Sequence, residues 1–142
     1  MTLQTRLEGA EPAAIAELAA RHDATREELA ALAACLGHPR KAIQRPAAEA
    51  FANLAARGVN VTDVLDAALA SADPRRRFGA AFALSLLGPP PPHTLPVLCA
   101  TLGSDDGDMR WAAEKIVLRL ADRGAVQRAL AELLRAGSPE QR

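Results

Sequence analysis

The sequence predicts an all-α fold, a solenoid of stacked antiparallel helical hairpins, and three observations carry that expectation. Ala is the commonest residue and Leu the next. Both favour helix, because Ala loses no side-chain entropy there and Leu loses little. The residues that favour strands are scarce: aromatics make up 3% of the chain and Tyr is absent. The third observation is internal repetition. At a constant shift of 33, Leu32 meets Leu65 and Leu98, Leu36 meets Leu69 and Leu102, and Ala47 meets Ala80 and Ala113. Phe51, Leu84 and Val117 form another apolar column, as do Leu54, Leu87 and Leu120. A fixed period of this length is the signature of a repeat architecture, in which each unit buries its apolar face only against its neighbours.

The 142 residues are read as one domain. It comprises an N-terminal capping segment over 1–25, repeats over 26–58, 59–91 and 92–124, and a half repeat over 125–142. Helices are expected over 11–21, 26–36, 45–57, 62–71, 74–87, 94–102, 108–121 and 125–136. The segment 11–21 reads as a lone helix, the second helix of a degenerate leading repeat: Ala14 and Leu18 align with Ala47 and Phe51. Thr25 and Glu28 form a capping box that opens the first full unit. Pro46 falls where a helix interior belongs, which implies a kink or a start delayed to about Arg45. In the second unit, Asn60 or Thr62 caps the first helix, and Val61, Leu65, Ala68 and Leu69 form its apolar stripe. Asp73 is the N-cap of the second helix, Pro74 suits its first position, and Gly88-Pro89 stops it. The Pro89–Pro92 run should be extended. Ser138-Pro139 reads as the start of a further helix, leaving an end open for a partner. The core is expected from Leu32, Leu36, Phe51, Leu54, Leu65, Leu69, Ala80, Leu84, Leu87, Leu98, Leu102, Ala113, Val117, Leu120, Leu130 and Leu133.

Charge and motifs narrow the function classes. Lys and Arg number 17 and Asp and Glu number 17, so no global field draws the chain to nucleic acid or acidic lipid. Met1-Thr-Leu-Gln-Thr-Arg lacks the features of a signal peptide, and no apolar run approaches a membrane span, so a cytoplasmic protein is expected. Cys35 and Cys99 sit in Ala/Leu-rich stretches and read as small buried hydrophobes. His22, His38 and His93 are solitary, and no metal-ligand spacing, phosphate loop or nucleophile motif occurs. Gly103-Ser-Asp-Asp-Gly107-Asp is too short for a calcium loop and reads as a turn, with Asp105, Asp106 and Asp108 at a helix start. No catalytic residue, metal or cofactor is expected, and the protein is not read as an enzyme.

One column invites a functional reading. Arg45, Phe78 and Trp111 are equivalent under the repeat. On a helical wheel of about 100° per residue, Ala80, Ala83, Leu84 and Leu87 fall on one side, with Phe78, Phe82 and Ser85 opposite. The same construction puts Trp111, Lys115 and Leu118 opposite the core in the third unit, and Arg45 and Glu49 in the first. Large aromatics on an outer face are informative.

The segment Asp73-Pro74-Arg-Arg-Arg77-Phe-Gly-Ala80-Ala-Phe-Ala83-Leu84 resembles the second helix of a HEAT-like repeat, and Asp106, Met109, Arg110, Ala113, Val117 and Leu120 follow the same pattern. The first unit departs from it: Arg40 replaces the Asp and Gln44 the Arg, and Arg76 interrupts a column otherwise held by Ile43 and Met109. The resemblance covers roughly 25–142 and implies a right-handed α-α superhelix. It also implies an Asp–Arg ladder, here Asp73, Arg77, Asp106 and Arg110, along the stack. It places the second helices on a concave surface, so that Arg45, Arg75, Phe78, Phe82, Trp111 and Lys115 would form a partner-binding patch suited to an acidic and apolar segment. The function so implied is a scaffold or adaptor that binds another protein, acting as a monomer or associating end to end. Two alternatives follow from relatives of the family: nucleic-acid binding, as in the DNA-alkylation-repeat proteins, and a subunit of a bilin-lyase-like enzyme. The neutral charge disfavours the first, and no residue here marks a pigment site for the second.

Overall fold

A computed structural model describes residues 2–88 and 90–120, together with Ala131. All regular structure among them is helical. The elements are α1 (Leu3–Glu8), α2 (Pro12–Ala19), α3 (Arg26–Cys35), α4 (Lys41–Ala56), α5 (Thr62–Leu69), α6 (Pro74–Leu87), a 3₁₀ turn (Pro92–Thr94), α7 (Leu95–Thr101) and α8 (Gly107–Leu120). The fold is an all-α solenoid of helical hairpins. The chain divides into two compact units, Met1–Pro90 and Pro91–Arg142. The helix expected over 125–136 and the core positions Leu130 and Leu133 lie outside the described residues.

In the first unit, three hairpins (α1–α2, α3–α4 and α5–α6) stack in two layers. α1, α3 and α5 pack in succession on one side, and α2, α4 and α6 on the other. The hairpin ends are set locally. Thr25 Oγ1 accepts from Glu28 N at 3.0 Å while Glu28 Oε1 accepts from Thr25 N at 2.9 Å, completing the capping box. Asn60 Oδ1 accepts from Thr62 N. At the end of α4 the chain needs a residue that tolerates positive φ, and Gly58 supplies it at +89°. Gly58 N then bonds to Ala55 O and Val59 N to Leu54 O, each at 3.0 Å, which satisfies two carbonyls of the last turn.

Two expectations about the first unit are corrected. The helix over 11–21 is not alone: α1 precedes it, capped by Thr2 Oγ1 accepting from Thr5 N, and anchored by the buried Leu7. With six residues and one buried side chain, α1 is too short for periodicity to reveal it. Helix α4 begins at Lys41, well before Arg45, and runs through Pro46. The ring's fixed φ is helical, so the cost is confined to the amide that position 46 lacks, and the Ala42 carbonyl left without it belongs to an exposed residue that water reaches.

The core follows the repeat columns closely in the first unit. Leu32, Leu36, Phe51, Leu54, Leu65 and Ala80 are fully buried, with Leu69 and Leu84 nearly so. Leu87 is only half-buried at the end of α6. In the second unit α7 packs against α8, burying Leu98, Ala113 and Ile116. There Ile116 takes the core place expected of Val117, which is half-buried, a rotation of one residue. Leu102 is exposed, because it caps α7 at its C-terminus beyond the last helical turn. The side chain of Leu120 lies outside the description. Pro91 is extended, at φ −60° and ψ 152°, but Pro92 already enters the 3₁₀ turn, so the extended run is shorter than expected.

Close approach between layers depends on α6. A Cβ placed on Gly79 would overlap the Leu36 carbonyl oxygen and stand 2.8 Å from Leu36 Cβ. Helix propensity alone favours Ala over Gly by about 1 kcal/mol, so the sign of the Gly79→Ala effect reads the packing. We expect a loss of about 1–3 kcal/mol in urea unfolding; a gain in stability would show that α6 does not press on the α3 turn.

Candidate interaction surface

The turn before each second helix repeats atom for atom in two repeats. Ser71 Oγ accepts from Asp73 N and Ser104 Oγ from Asp106 N, each at 3.1 Å. Asp73 Oδ1 accepts from Arg75 N and Asp106 Oδ1 from Asp108 N, each at 3.0 Å. Arg77 Nη1 donates to Ser71 O at 2.8 Å and Arg110 Nη1 to Ser104 O at 2.7 Å. The Arg of the repeat thus reaches back to a carbonyl just past the preceding helix, where a cation also meets the negative pole of that helix. Among the described residues no ion pair joins Asp73 to Arg77, so within this repeat the arginine is tied to backbone and not to the carboxylate the ladder expectation gave it. The reason is geometric: the Asp73 carboxylate is turned onto its own helix start. The first repeat uses different residues for the same turn. His38 takes the place of the serine, and its Nδ1 accepts from Arg40 N at 3.0 Å. The column His38, Ser71, Ser104 was legible at the 33-residue shift, as a polar residue two places before each N-cap.

The aromatic column divides. Phe78 is 3% exposed, which corrects the expectation that it faces away from the core. Its ring stands 6.1 Å from that of Phe82, which is half-buried. The wheel failed because α6 is packed on more than one side, against α4 and α5. Its run Phe78-Gly-Ala-Ala-Phe-Ala-Leu84 is apolar all round, the mark of an enclosed helix. Arg75 and Arg45 are exposed. Trp111 is exposed to 57% and Leu118 to 58%, and Lys115 Nζ lies 5.2 Å from the centre of the Trp111 ring. Seven residues is nearly two turns, so these three side chains share a stripe on α8 about 40–60° wide. An exposed cation over a Trp face contributes about 0.5–1 kcal/mol.

In the layer of second helices, α2 and α4 leave an open groove of about 510 Å³, floored by Ala16 and Pro46 and edged by Glu49, Asn53 and Arg57. Arg57 Nη1 also donates to Ala19 O, joining the C-terminal ends of the two helices.

The thiols are not poised for chemistry. Burial pushes the Cys35 thiol above its ordinary range, with the Arg76 charge partly offsetting it, and burial raises Cys99 likewise. Cys35 Sγ donates to Leu7 O at 3.5 Å, and both cysteines are free. No group of three or more potential metal ligands occurs among the described residues. None of their helices is long and apolar enough to cross a membrane.

The family model of HEAT repeats matches residues 29–119. No curated protein matches the chain. Among solved structures, the crystal structure of an engineered protein aligns over 99% of this chain and 75% of its own, with 20% identity and a TM-score of 0.44.

Arg76 marks the one place where the repeat pattern is broken at an energetic cost. Its column holds the buried Ile43 in the first repeat, and its own Nε is buried without a hydrogen-bond partner. An orphaned buried donor costs about 1–3 kcal/mol. Arg76→Met keeps the apolar stem and removes the donor, so it should raise the free energy of unfolding by about 1 kcal/mol or more. A lower urea midpoint for Arg76→Met would mean that the guanidinium is satisfied in solution.

Proposed function

Since the chain belongs to the HEAT-repeat family, whose repeats commonly mediate protein interactions and typically serve as non-enzymatic scaffolds, we propose that it is a protein-interaction module that binds another protein through its second helices. The observation that carries this reading is the outer stripe of α8. Trp111 and Leu118 hold large apolar surfaces in water, and Lys115 lies beside them. Trp is the residue most enriched at binding hot spots, because it buries much area with few rotamers to freeze. A Trp kept in solvent by a folded helix contributes little to stability and much to a docked partner. The burial of Phe78 removes it from this surface, so the binding role passes to α8 and to the exposed arginines of the other second helices.

The test separates binding from folding. The doubly substituted Trp111→Ala, Leu118→Ser protein should unfold within about 0.5 kcal/mol of the unaltered one, as exposed substitutions do. It should lose about 2 kcal/mol or more of affinity for the partner recovered from the native host by quantitative affinity capture. A variant that stays folded and retains the same partner at the same affinity would move the contact surface elsewhere. One that unfolds would make these two side chains packing residues.

A further inference from the structure

We propose that the start of α4 is a docking point for an acidic polypeptide segment, whose carboxylates take the place that the chain's own aspartates hold in the other repeats. This rests on the reading of the chain as a protein-interaction module, but it does not depend on α8.

The site is a cluster of cations. Arg40 is the N-cap residue of α4, Lys41 opens the helix, and Arg45 lies one turn on, over Lys41; all three are exposed. Arg75, also exposed, occupies the corresponding place at the start of α6, which packs along α4. Among the described residues no ion pair or side-chain hydrogen bond engages the Arg40 or Arg45 guanidinium. The acids of the neighbourhood are few. Asp73 is turned onto Arg75 N, and Glu49 lies one further turn along α4.

The repeat itself says which anion fits. Positions 40, 73 and 106 are equivalent. At 73 and 106 an Asp carboxylate receives first-turn amides: that of Arg75 in one repeat, those of Asp108 and Met109 in the other. At 40 the Asp is an Arg, no side chain caps the helix, and no acid lies in the first turn. The positive pole of a 16-residue helix is therefore left uncompensated and is reinforced by three cations. A carboxylate brought by a partner would meet both the amides and the guanidinium forks, an arrangement that gives short, charge-assisted bonds. Nucleic acid fits less well. The first unit offers no exposed aromatic on which a base would stack, since Phe51 and Phe78 are buried and Phe82 is half-buried.

Binding of a short fluorescent peptide of alternating Asp and Glu, followed by anisotropy, tests the inference. The intact chain should bind it at low ionic strength and lose it steeply as salt shortens the Debye length to about 3 Å near 1 M. Arg40→Asp should weaken binding by about tenfold or more and, by supplying the missing cap, raise the melting temperature. Arg45→Glu should weaken binding similarly with no such rise. Absence of peptide binding, binding indifferent to both substitutions, or tighter binding of single-stranded DNA of matching charge would overturn the proposal. If the peptide fails while capture through Trp111 persists, only the acidic docking point falls. If the peptide binds but capture is indifferent to Trp111, the α8 surface falls instead.

Discussion

The structure depends on one constraint: a two-helix hairpin of this size cannot bury its own apolar surface. Each hairpin must therefore lend one face of each helix to the next. In the first unit the outcome is two layers, with α6 held between α4 and α5 and little of its surface left for solvent. A helix enclosed in this way must be lined by small residues on its contact faces, and α6 meets that demand with Gly79, Ala80, Ala81 and Ala83, all buried. The same economy explains the composition. An Ala-rich chain forms good helices, and it also lets their axes come close enough for Leu36 and Leu84 to fill the remaining space.

Close packing fixes the layers, but the turns fix the register between a first and a second helix. Each turn between the helices of a hairpin must satisfy the last carbonyls of one helix and the first amides of the next. In the second and third repeats one Ser, one Asp and one Arg do all of this, with distances that agree between copies to about 0.1 Å. The arginine's role is thus tied to the backbone, a use of charge that salt screens weakly, because its acceptor is a carbonyl at short range and not a distant carboxylate. The first repeat keeps the turn through His38 but gives up the Asp. Relaxing the pattern there costs α4 its cap and leaves cations in its place, and features that weaken a fold locally are where interaction sites are sought.

The sequence was most legible where a local rule and the repeat agreed. The capping box at Thr25, the N-cap at Asp73 and the leucine columns were all readable, because each is specified by neighbours within one turn or by an equivalent 33 positions away. It was least legible where burial depends on how many sides of a helix are covered. Phe78 lies opposite Ala80 and Leu84 on a wheel, yet it is buried, since a single-faced wheel cannot represent a helix with neighbours on several sides. The signal was present in the uninterrupted apolar run from Phe78 to Leu84. Pro46 misled for a different reason: a proline's cost in a helix interior is finite, and fourteen well-placed neighbours in α4, with Ala47, Ala48, Ala50, Phe51 and Leu54 buried, outweigh one missing hydrogen bond of about 3 kcal/mol.

What remains at the surface after packing and turn chemistry have taken their residues is a short inventory, and its chemistry is uneven. On α8 the unclaimed groups are apolar and aromatic, at Trp111 and Leu118. At the start of α4 they are cationic, at Arg40 and Arg45. Neither is required by the hairpin that displays it: α7 and α8 close over Leu98, Ala113 and Ile116, and α4 is held by Phe51 and Leu54. Residues that a fold does not need for its own stability are free to be set by a partner. Desolvated aromatic area supplies affinity, whereas exposed charge acts mainly on encounter rate and orientation. A chain whose total charge is balanced can still steer an acidic segment, provided its cations are gathered at one helix pole while its acids are spent on caps. The distribution of charge, and not its sum, is therefore the property of this sequence that bears on its partner.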